Sequence, residues 1–456
     1  MHDIMAAPSA YYWVATAPRV DFPPLGEPLS VDIAVIGAGI VGLTTALLLK
    51  HTGRRVAVIE AKRVGEQTTG GSTAKITAQH RLIYDHLIHS LGRDQAQLYA
   101  ESNQEAITSI RELVQRLNID CDLQERTAYA YTRRSDGVEA IEREAEAAGQ
   151  LGLPARLLDG DIGLPYPVEA AVAFAHQAQF HPVKYLKALA AAVEGDDCRV
   201  LEQTRVLGVE EGQPCVIDTQ RGKLRAAEVV VATHLPILDR AGFFARAVPR
   251  AHLGLAARLD GQPPQGMYIS TDEPTHSLRG ARDQEGSVLI AIGHGFRPGH
   301  DIDVGALYRE LAQFVTGHFP VKTLDYRWMN MDYDSLDRVP YIGRLPPFSR
   351  HLYTATGFSA WGITAGHLAG RIITDTITGK INPYAELYDA TRIRPLASAR
   401  GFIAHNVHTA RDFISDHLKS VPERDPDELA PGEGAIIQVD EEKVAAYRDD
   451  QGRLHM

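Results

Sequence analysis

The sequence predicts an α/β protein in two parts: a parallel-sheet domain assembled from separate stretches of chain, and a second α+β domain built on an antiparallel sheet. Three observations predict it. The run VDIAVIGAGIVGL at 31–43 joins a branched apolar segment to a glycine-rich turn and an apolar helix. One helix length later, RRVAVIEAK at 54–62 supplies another apolar run. Between 250 and 330 the pattern changes to the strand-like stretches HLGLAARL, GMYIST and SVLIAIGHG.

Ile33 to Ile36 read as a buried parallel strand, and Gly37, Gly39 and Gly42 follow in G-x-G-x-x-G register. Gly37 permits the tight turn, Gly39 lets backbone approach a phosphate, and Gly42 lets the helix close on the strand. The helix opens at Ile40 and Val41 and stops at Gly53. Its free amides and positive dipole end favour an anion without a basic side chain. Glu60, eighteen positions past Gly42 and followed by Ala61 and Lys62, ends the next strand. A carboxylate there accepts from both ribose hydroxyls and repels a 2′-phosphate, which favours FAD or NAD over NADP. The unit is Rossmann-like.

Amphipathic stretches at 91–117 and 137–149 read as helices flanking a strand at 127–132. A helix at 185–193 precedes the strands RVLGVEE, PCVIDTQ and AAEVVVATH, and helices are expected at 304–319 and 365–378. The expected organisation is a discontinuous nucleotide domain (1–85, 145–240, 335–395), a substrate domain (86–144, 241–334), a helical connector and linker (396–428) and a C-terminal fragment (429–456).

FAD is longer than NAD and needs contacts from several segments, and three are present. TTGGSTAKIT (68–77) offers Ser72, Thr73, Ala74 and Lys75 to the pyrophosphate and flavin. Val206 in TRVLGV, with Ala232 and Thr233 at the small tip of the apolar strand, offers the adenine end. In GFSAWGIT, Gly357, Trp361, Gly362, Ile363 and Thr364 open a helix whose N-terminus faces the flavin's N1/C2 edge, where negative charge develops on reduction. No second G-x-G-x-x-G is present, so electrons are expected from the organic substrate. An NAD-dependent dehydrogenase is the alternative, and it predicts a colourless protein.

With 456 residues, 44% of them hydrophobic, and a net charge of −11 without a basic stripe, the composition suits a globular protein and argues against a nucleic-acid partner. No apolar run approaches the roughly 18 residues of a membrane span, and the N-terminus lacks a signal-peptide pattern, so a cytoplasmic location is expected. Cys121, Cys198 and Cys215 are too scattered for a disulfide framework or a metal quartet, and His80, His86 and His89 lack the spacing of a helical metal pair. No metal is expected.

These motifs resemble the D-amino-acid oxidase/glycine oxidase/sarcosine oxidase family of FAD-dependent oxidoreductases over about residues 30–395. FHPVKYLKALA (180–190) is similar to that family's H-P helix, DRVPYIGRLP (337–346), with Gly343, to its D-x-x-P-x-I-G element, and LYTATGFSAWGIT (352–364) to its closing flavin signature. The resemblance implies oxidation of the C–N bond of an amine or amino acid by hydride transfer to flavin N5, the imine then hydrolysing. The electron acceptor is O2 or, in a dehydrogenase, an electron-transfer protein or quinone; a flavin-binding module without turnover is the alternative reading. Relatives that bind flavin covalently carry histidine in G-S-T-x-H. Here that position is Lys75, which implies non-covalent FAD and a lysine that stabilises reduced flavin.

On the substrate side His294, Trp328, Asp332 and Tyr341 are singled out, with His294, Asp332 and Lys75 as catalytic candidates. Arg258, Arg279, Arg297 and Arg327 are candidates for a substrate carboxylate. Residues 429–456 look like the opening strands of a Rieske domain, truncated or degenerate. They contain neither Cys-x-His nor Cys-x-x-His, so no 2Fe-2S cluster is expected from this chain.

Overall fold

The computed structural model describes residues 3–238, 242–299, 302–345, 348–394, 429–430, 434–439, 442–449 and 451–456. Two compact units divide the chain, 1–399 and 400–456.

The first unit holds two sheets. In the parallel one, β1 (Leu29–Ile36), β2 (Val56–Ile59), β7 (Arg199–Leu201), β10 (Gly222–Val231) and β17 (Leu352–Thr356) run in the order β17-β10-β1-β2-β7. The antiparallel strand β16 (Tyr341–Arg344) lies outside β17, and the hairpin of β8 (Val206–Glu210) and β9 (Cys215–Thr219) extends the base of β10. Ile36 stands opposite both Ile59 and Val231, so three strand tips end level. Such a row of C-terminal strand ends is where open α/β sheets bind ligands. Helices α2 (Ile40–Lys50) and α8 (Gly362–Thr378) pack together closely; a Cβ on Gly370 would lie 2.7 Å from Thr44 Cγ2.

The second sheet runs β15 (Val321–Ser335), β11 (Ala247–Leu259), β14 (Gly286–Phe296), β13 (His276–Asp283), β12 (Met267–Ser270), β4 (Gln124–Thr132), β6 (Ala170–Gln179), β3 (Lys75–Ile76), with β5 (Ala155–Leu158) also on β6. Its pairings are antiparallel except β12 with β4, so the expected antiparallel sheet is mixed at one ladder. Alternation divides its faces. Leu253, Leu255, Leu289 and Ala291 pack under α7 (Val304–His318), whereas Ala256, Ile269, Val288 and Ile290 join the core that includes α2 and α8. Strand β15 is the sheet's edge, and residues 8–10 lie along it: Arg327 donates to Pro8 O at 3.0 Å and accepts from Ala10 N at 3.1 Å.

Several expectations are corrected. Residues 155–158 and 170–179, assigned to the nucleotide domain, pair in the second sheet, because AAVAFAHQAQ is a long apolar strand buried on both faces. The helix expected at 91–117 is α4 (Arg93–Arg116), and a further helix that the sequence reading did not include, α3 (Tyr84–Leu91), precedes it and ends at Gly92 with φ +86°. Glu144 on α5 (Val138–Gln150) caps α3, accepting from the amides of Ile83, Tyr84 and Asp85 at 2.9–3.0 Å. Short helices α1 (Tyr12–Thr16) and α9 (Ala385–Tyr388) and helix α6 (Pro182–Val193) complete the unit. The helical connector and linker expected at 396–428 lie outside the described residues.

In the second unit β18 (Gly434–Val439), β19 (Glu442–Arg448) and β20 (Leu454–His455) form an antiparallel sheet with Leu429 and Ala446 buried. Among the described residues no helix is long and apolar enough to cross a membrane, and no group of three or more His, Cys, Asp or Glu is arranged to hold a metal ion.

Candidate active site

The glycine turn fits its expected task through sterics. Gly37 adopts φ +106°, and a Cβ there would stand 2.5 Å from Ala232 O; a Cβ on Gly42 would stand 1.9 Å from Gly37 O. Gly39 immediately precedes α2, whose first turn is Ile40, Val41 and Gly42. Glu60 is buried and oriented by backbone: its carboxylate accepts from Ala38 N at 2.9 Å and Lys62 N at 2.8 Å. Burial pushes its pKa up, against those amides and that of Ala61, which pull it down. Each carboxylate oxygen has a second lone pair, so the amides leave it able to accept ribose hydroxyls. A bare helix N-terminus, a turn no side chain can fill and an oriented carboxylate together fit the pyrophosphate and ribose of a dinucleotide. Ala232 N donates to Ile36 O at 2.8 Å, and Thr204 N to the backbone carbonyl of Glu60 at 2.8 Å, which ties the segment leading into Val206 to the end of β2.

The 68–77 loop meets the start of α8. Thr77 N donates to Thr364 Oγ1 at 2.9 Å, and Trp361 stacks on His80 with centroids 4.7 Å apart. Burial pushes the His80 imidazole down to about 3, so it packs there uncharged. The loop is also tied to the second sheet: Trp328 Nε1 donates to Gly71 O at 2.9 Å, Asn330 Nδ2 to Thr68 O at 3.2 Å, and Arg279 to Thr73 O and Ala74 O at 3.1 and 3.0 Å. Trp13 Nε1 holds Ser72 O at 2.8 Å.

Lys75 ends that loop as a buried amine with neutral partners, donating to Tyr268 O at 2.6 Å and Ser277 Oγ at 2.7 Å. Burial first, and the Arg279 charge second, hold its pKa well below the usual lysine range. Asp332 is also buried. Its carboxylate accepts from Tyr333 N at 2.8 Å and, over a very short contact, from Ala360 N. Burial pushes it up to about 7 despite these donors.

The profile described as FAD dependent oxidoreductase matches residues 32–376. This chain belongs to that family. The FAD-dependent oxidoreductase is 32% identical over 458 residues to the putative Rieske 2Fe-2S iron-sulfur protein YhfW of Bacillus subtilis (strain 168), covering 100% of this chain and 89% of the relative. To the gamma-glutamylputrescine oxidoreductase of Escherichia coli (strain K12) it is 25% identical over 398 residues, covering 84% of this chain and 91% of that one. Among solved structures, glycine oxidase from Geobacillus kaustophilus superposes with a TM-score of 0.67 at 18% identity, covering 80% of this chain and 100% of that one. L-proline dehydrogenase from P. horikoshii gives 0.66 at 21% identity, covering 80% and 98%. The fold of this oxidoreductase is theirs.

The other expected residues of the oxidoreductase divide by where they lie. His294 is on the α7 side of the second sheet: its Nδ1 is 3.6 Å from Glu310 of α7 and its ring meets His276, which stacks on Phe314. It therefore faces away from the glycine turn, because its left-handed backbone (φ +50°) interrupts the alternation of β14. Tyr341 is sandwiched between the guanidinium groups of Arg246 and Arg392, 4.4 and 4.1 Å from its ring, a structural role. Trp328 packs on Gly254, where a Cβ would lie 2.3 Å from the indole. Gly343, at φ +131°, pairs with Thr354 in the parallel sheet. Thr233 Oγ1 turns to Leu235 O at 2.8 Å.

Three of the four arginines are engaged elsewhere: Arg258 is spent on Asp283 and Asp325, Arg279 on backbone carbonyls and Trp13, and Arg327 lies over Tyr308 of α7. Sequence reading missed His234. It follows Thr233 at the tip of β10 in a left-handed conformation (φ +69°), with Nε2 3.7 Å from Asp332 Oδ1. A bulky residue at a strand tip otherwise made of Ala and Thr was the available signal.

Proposed function

We propose that this FAD-dependent oxidoreductase oxidises the C–N bond of an amine or amino acid, with FAD held non-covalently. The observation that carries the reading is Lys75: a buried, carboxylate-free amine at the junction of the glycine-turn domain and the second sheet. Bound FAD supplies the hydride acceptor. The chain's own residues do the rest. The glycine turn and the first turn of α2 bind pyrophosphate, Glu60 orients ribose, and the N-terminus of α8 faces the pyrimidine edge. The apolar face bearing Ile269 and Ile290 excludes water and positions the substrate carbon. Lys75, its pKa held low by burial, would take at Nζ the proton that the substrate ammonium loses before hydride transfer and, so protonated, would stabilise the negative charge that develops on the ring.

The names of the relatives support the substrate class: one is an oxidoreductase of gamma-glutamylputrescine, and similar structures include glycine oxidase and L-proline dehydrogenase. Lysine in place of the linking histidine supports non-covalent FAD. Three buried, unpaired cysteines suit a reducing compartment such as the cytoplasm. A second reading, transfer of electrons to a protein or quinone rather than O2, is supported by the Rieske-named relative that aligns along the whole chain.

Anaerobic mixing with amines and with D- and L-amino acids tests the proposal. At least one compound should bleach the flavin absorbance; no bleaching with any of them would favour a flavin-binding module without turnover. Acid precipitation should release yellow FAD into the supernatant, and a yellow pellet would contradict non-covalent binding.

A further inference from the structure

We propose that His234 and Asp332 form a positioning pair that fixes the turn at 357–360 and, through it, sets the N-terminus of α8 against the flavin. The inference rests on the reading that α8 faces the pyrimidine edge of FAD.

The turn is strained. Gly357, Ser359 and Ala360 all adopt left-handed backbone, at φ +76°, +51° and +71°, and two of the three carry a Cβ. L-residues hold that conformation only where their surroundings over-determine it. Ser359 N donates to Tyr333 O at 3.0 Å, Trp361 N to Phe358 O at 2.9 Å, and Phe358 bridges Asp334. The remaining tie is the Ala360 amide on the Asp332 carboxylate, two residues before α8 begins.

Asp332 itself needs a partner. It is a buried carboxylate that spends one oxygen on Ala360 and the other on Tyr333 N, and the latter oxygen faces His234 Nε2 at 3.7 Å. That nitrogen is buried and has no hydrogen-bond partner. The imidazole is held by its own backbone, since His234 O accepts from Thr356 Oγ1 at 2.5 Å, and by the Tyr333 ring, 4.9 Å away. Ser359 Oγ and Ser335 Oγ, on the turn and beside Gly357, are likewise buried without partners. A strained turn, a buried anion and three unmatched polar atoms gather where the tip of β10, the end of β15 and the start of α8 converge. This polar group is organised for a bound ligand to complete.

The test uses the full chain stripped of flavin and titrated with FAD, following quenching of flavin fluorescence, with the melting temperature of each flavin-free form measured alongside. Asp332→Asn and His234→Gln should each weaken FAD binding at least tenfold and shift the visible absorption maximum. The double variant should be no worse than the weaker single, because the two act as one unit. Ala360→Gly in the Asp332→Asn background should restore most of the affinity, since glycine adopts the turn without the tie. Glu285→Gln, which removes an exposed partner of Arg258, should bind FAD as the unmodified chain does. Strictly additive losses, an Asp332→Asn protein with unchanged affinity, or failure of the glycine rescue would overturn the pair. Should Asp332→Asn not fold, His234→Gln decides: a tenfold loss supports the proposal and an unchanged affinity overturns it. If the unmodified chain took up no FAD, the reading of the site and the pair would fall together, whereas unchanged variants of a FAD-binding chain overturn the pair alone.

Discussion

Lys75 reaches Ser277: its Nζ donates to the serine hydroxyl at 2.7 Å, from the 68–77 loop into the middle of the second sheet. No carboxylate accompanies it there. Lys75→Met should leave FAD bound and shift the melting temperature by only a few degrees, because the lost hydrogen bonds are offset by removal of a buried polar group. Flavin reduction by substrate should slow by about 100-fold. In stopped-flow measurements the unmodified rate should rise with pH through a value below the ordinary lysine range, and the variant should lack that limb.

Gly42→Ala should abolish FAD uptake. Its methyl would lie 1.9 Å from Gly37 O, a backbone atom that cannot turn aside, so helix α2 must move away from β1. The expected loss is about 3 kcal/mol or more in stability, read by denaturant titration, together with a colourless preparation.

How much of this was legible beforehand depended on where the constraint resides. The glycine turn was legible because backbone clash alone dictates Gly37 and Gly42, whatever surrounds them. Strand β15 was not. Its inner face carries Trp328, Asn330 and Asp332, polar groups aimed at the carbonyls of the 68–72 loop and at the Ala360 amide, so no apolar alternation marked it. His294 was misjudged because one left-handed residue turned it to the α7 side, and His234 was missed because its partner lies far along the chain. The membership of β5 and β6 was equally hidden, since an apolar run does not declare which sheet it joins.

Glu144 should make stability fall as pH rises from about 4.5 to about 7. Burial, outweighing the amides of Tyr84, Asp85 and Ile83, raises its pKa to about 7 from 4.5, so across that window the unfolded chain releases a proton that the folded chain keeps. The contribution is about 3 kcal/mol at most. Glu144→Gln should remove it, seen as a smaller difference between denaturation free energies at pH 5 and pH 8.

Arg258 is almost enclosed, its side chain 9% exposed and held by Asp283 and Asp325. Asp283→Ala also strips Tyr12 OH of its acceptor at 3.0 Å and should cost about 3 kcal/mol. Glu285→Ala, removing the exposed third partner, should cost less than about 1 kcal/mol. Thermal denaturation of the two variants side by side checks the contrast.

The pairing of residues 8–10 with Arg327 gives the amino-terminal segment a guarding role. An uncovered strand of 15 residues, with Met329 and Met331 exposed on it, is a template onto which another chain can add. By occupying Arg327's backbone, the segment blocks strand addition at the middle of that template. Removing the first ten residues would therefore be felt as self-association, at a distance from the chemistry.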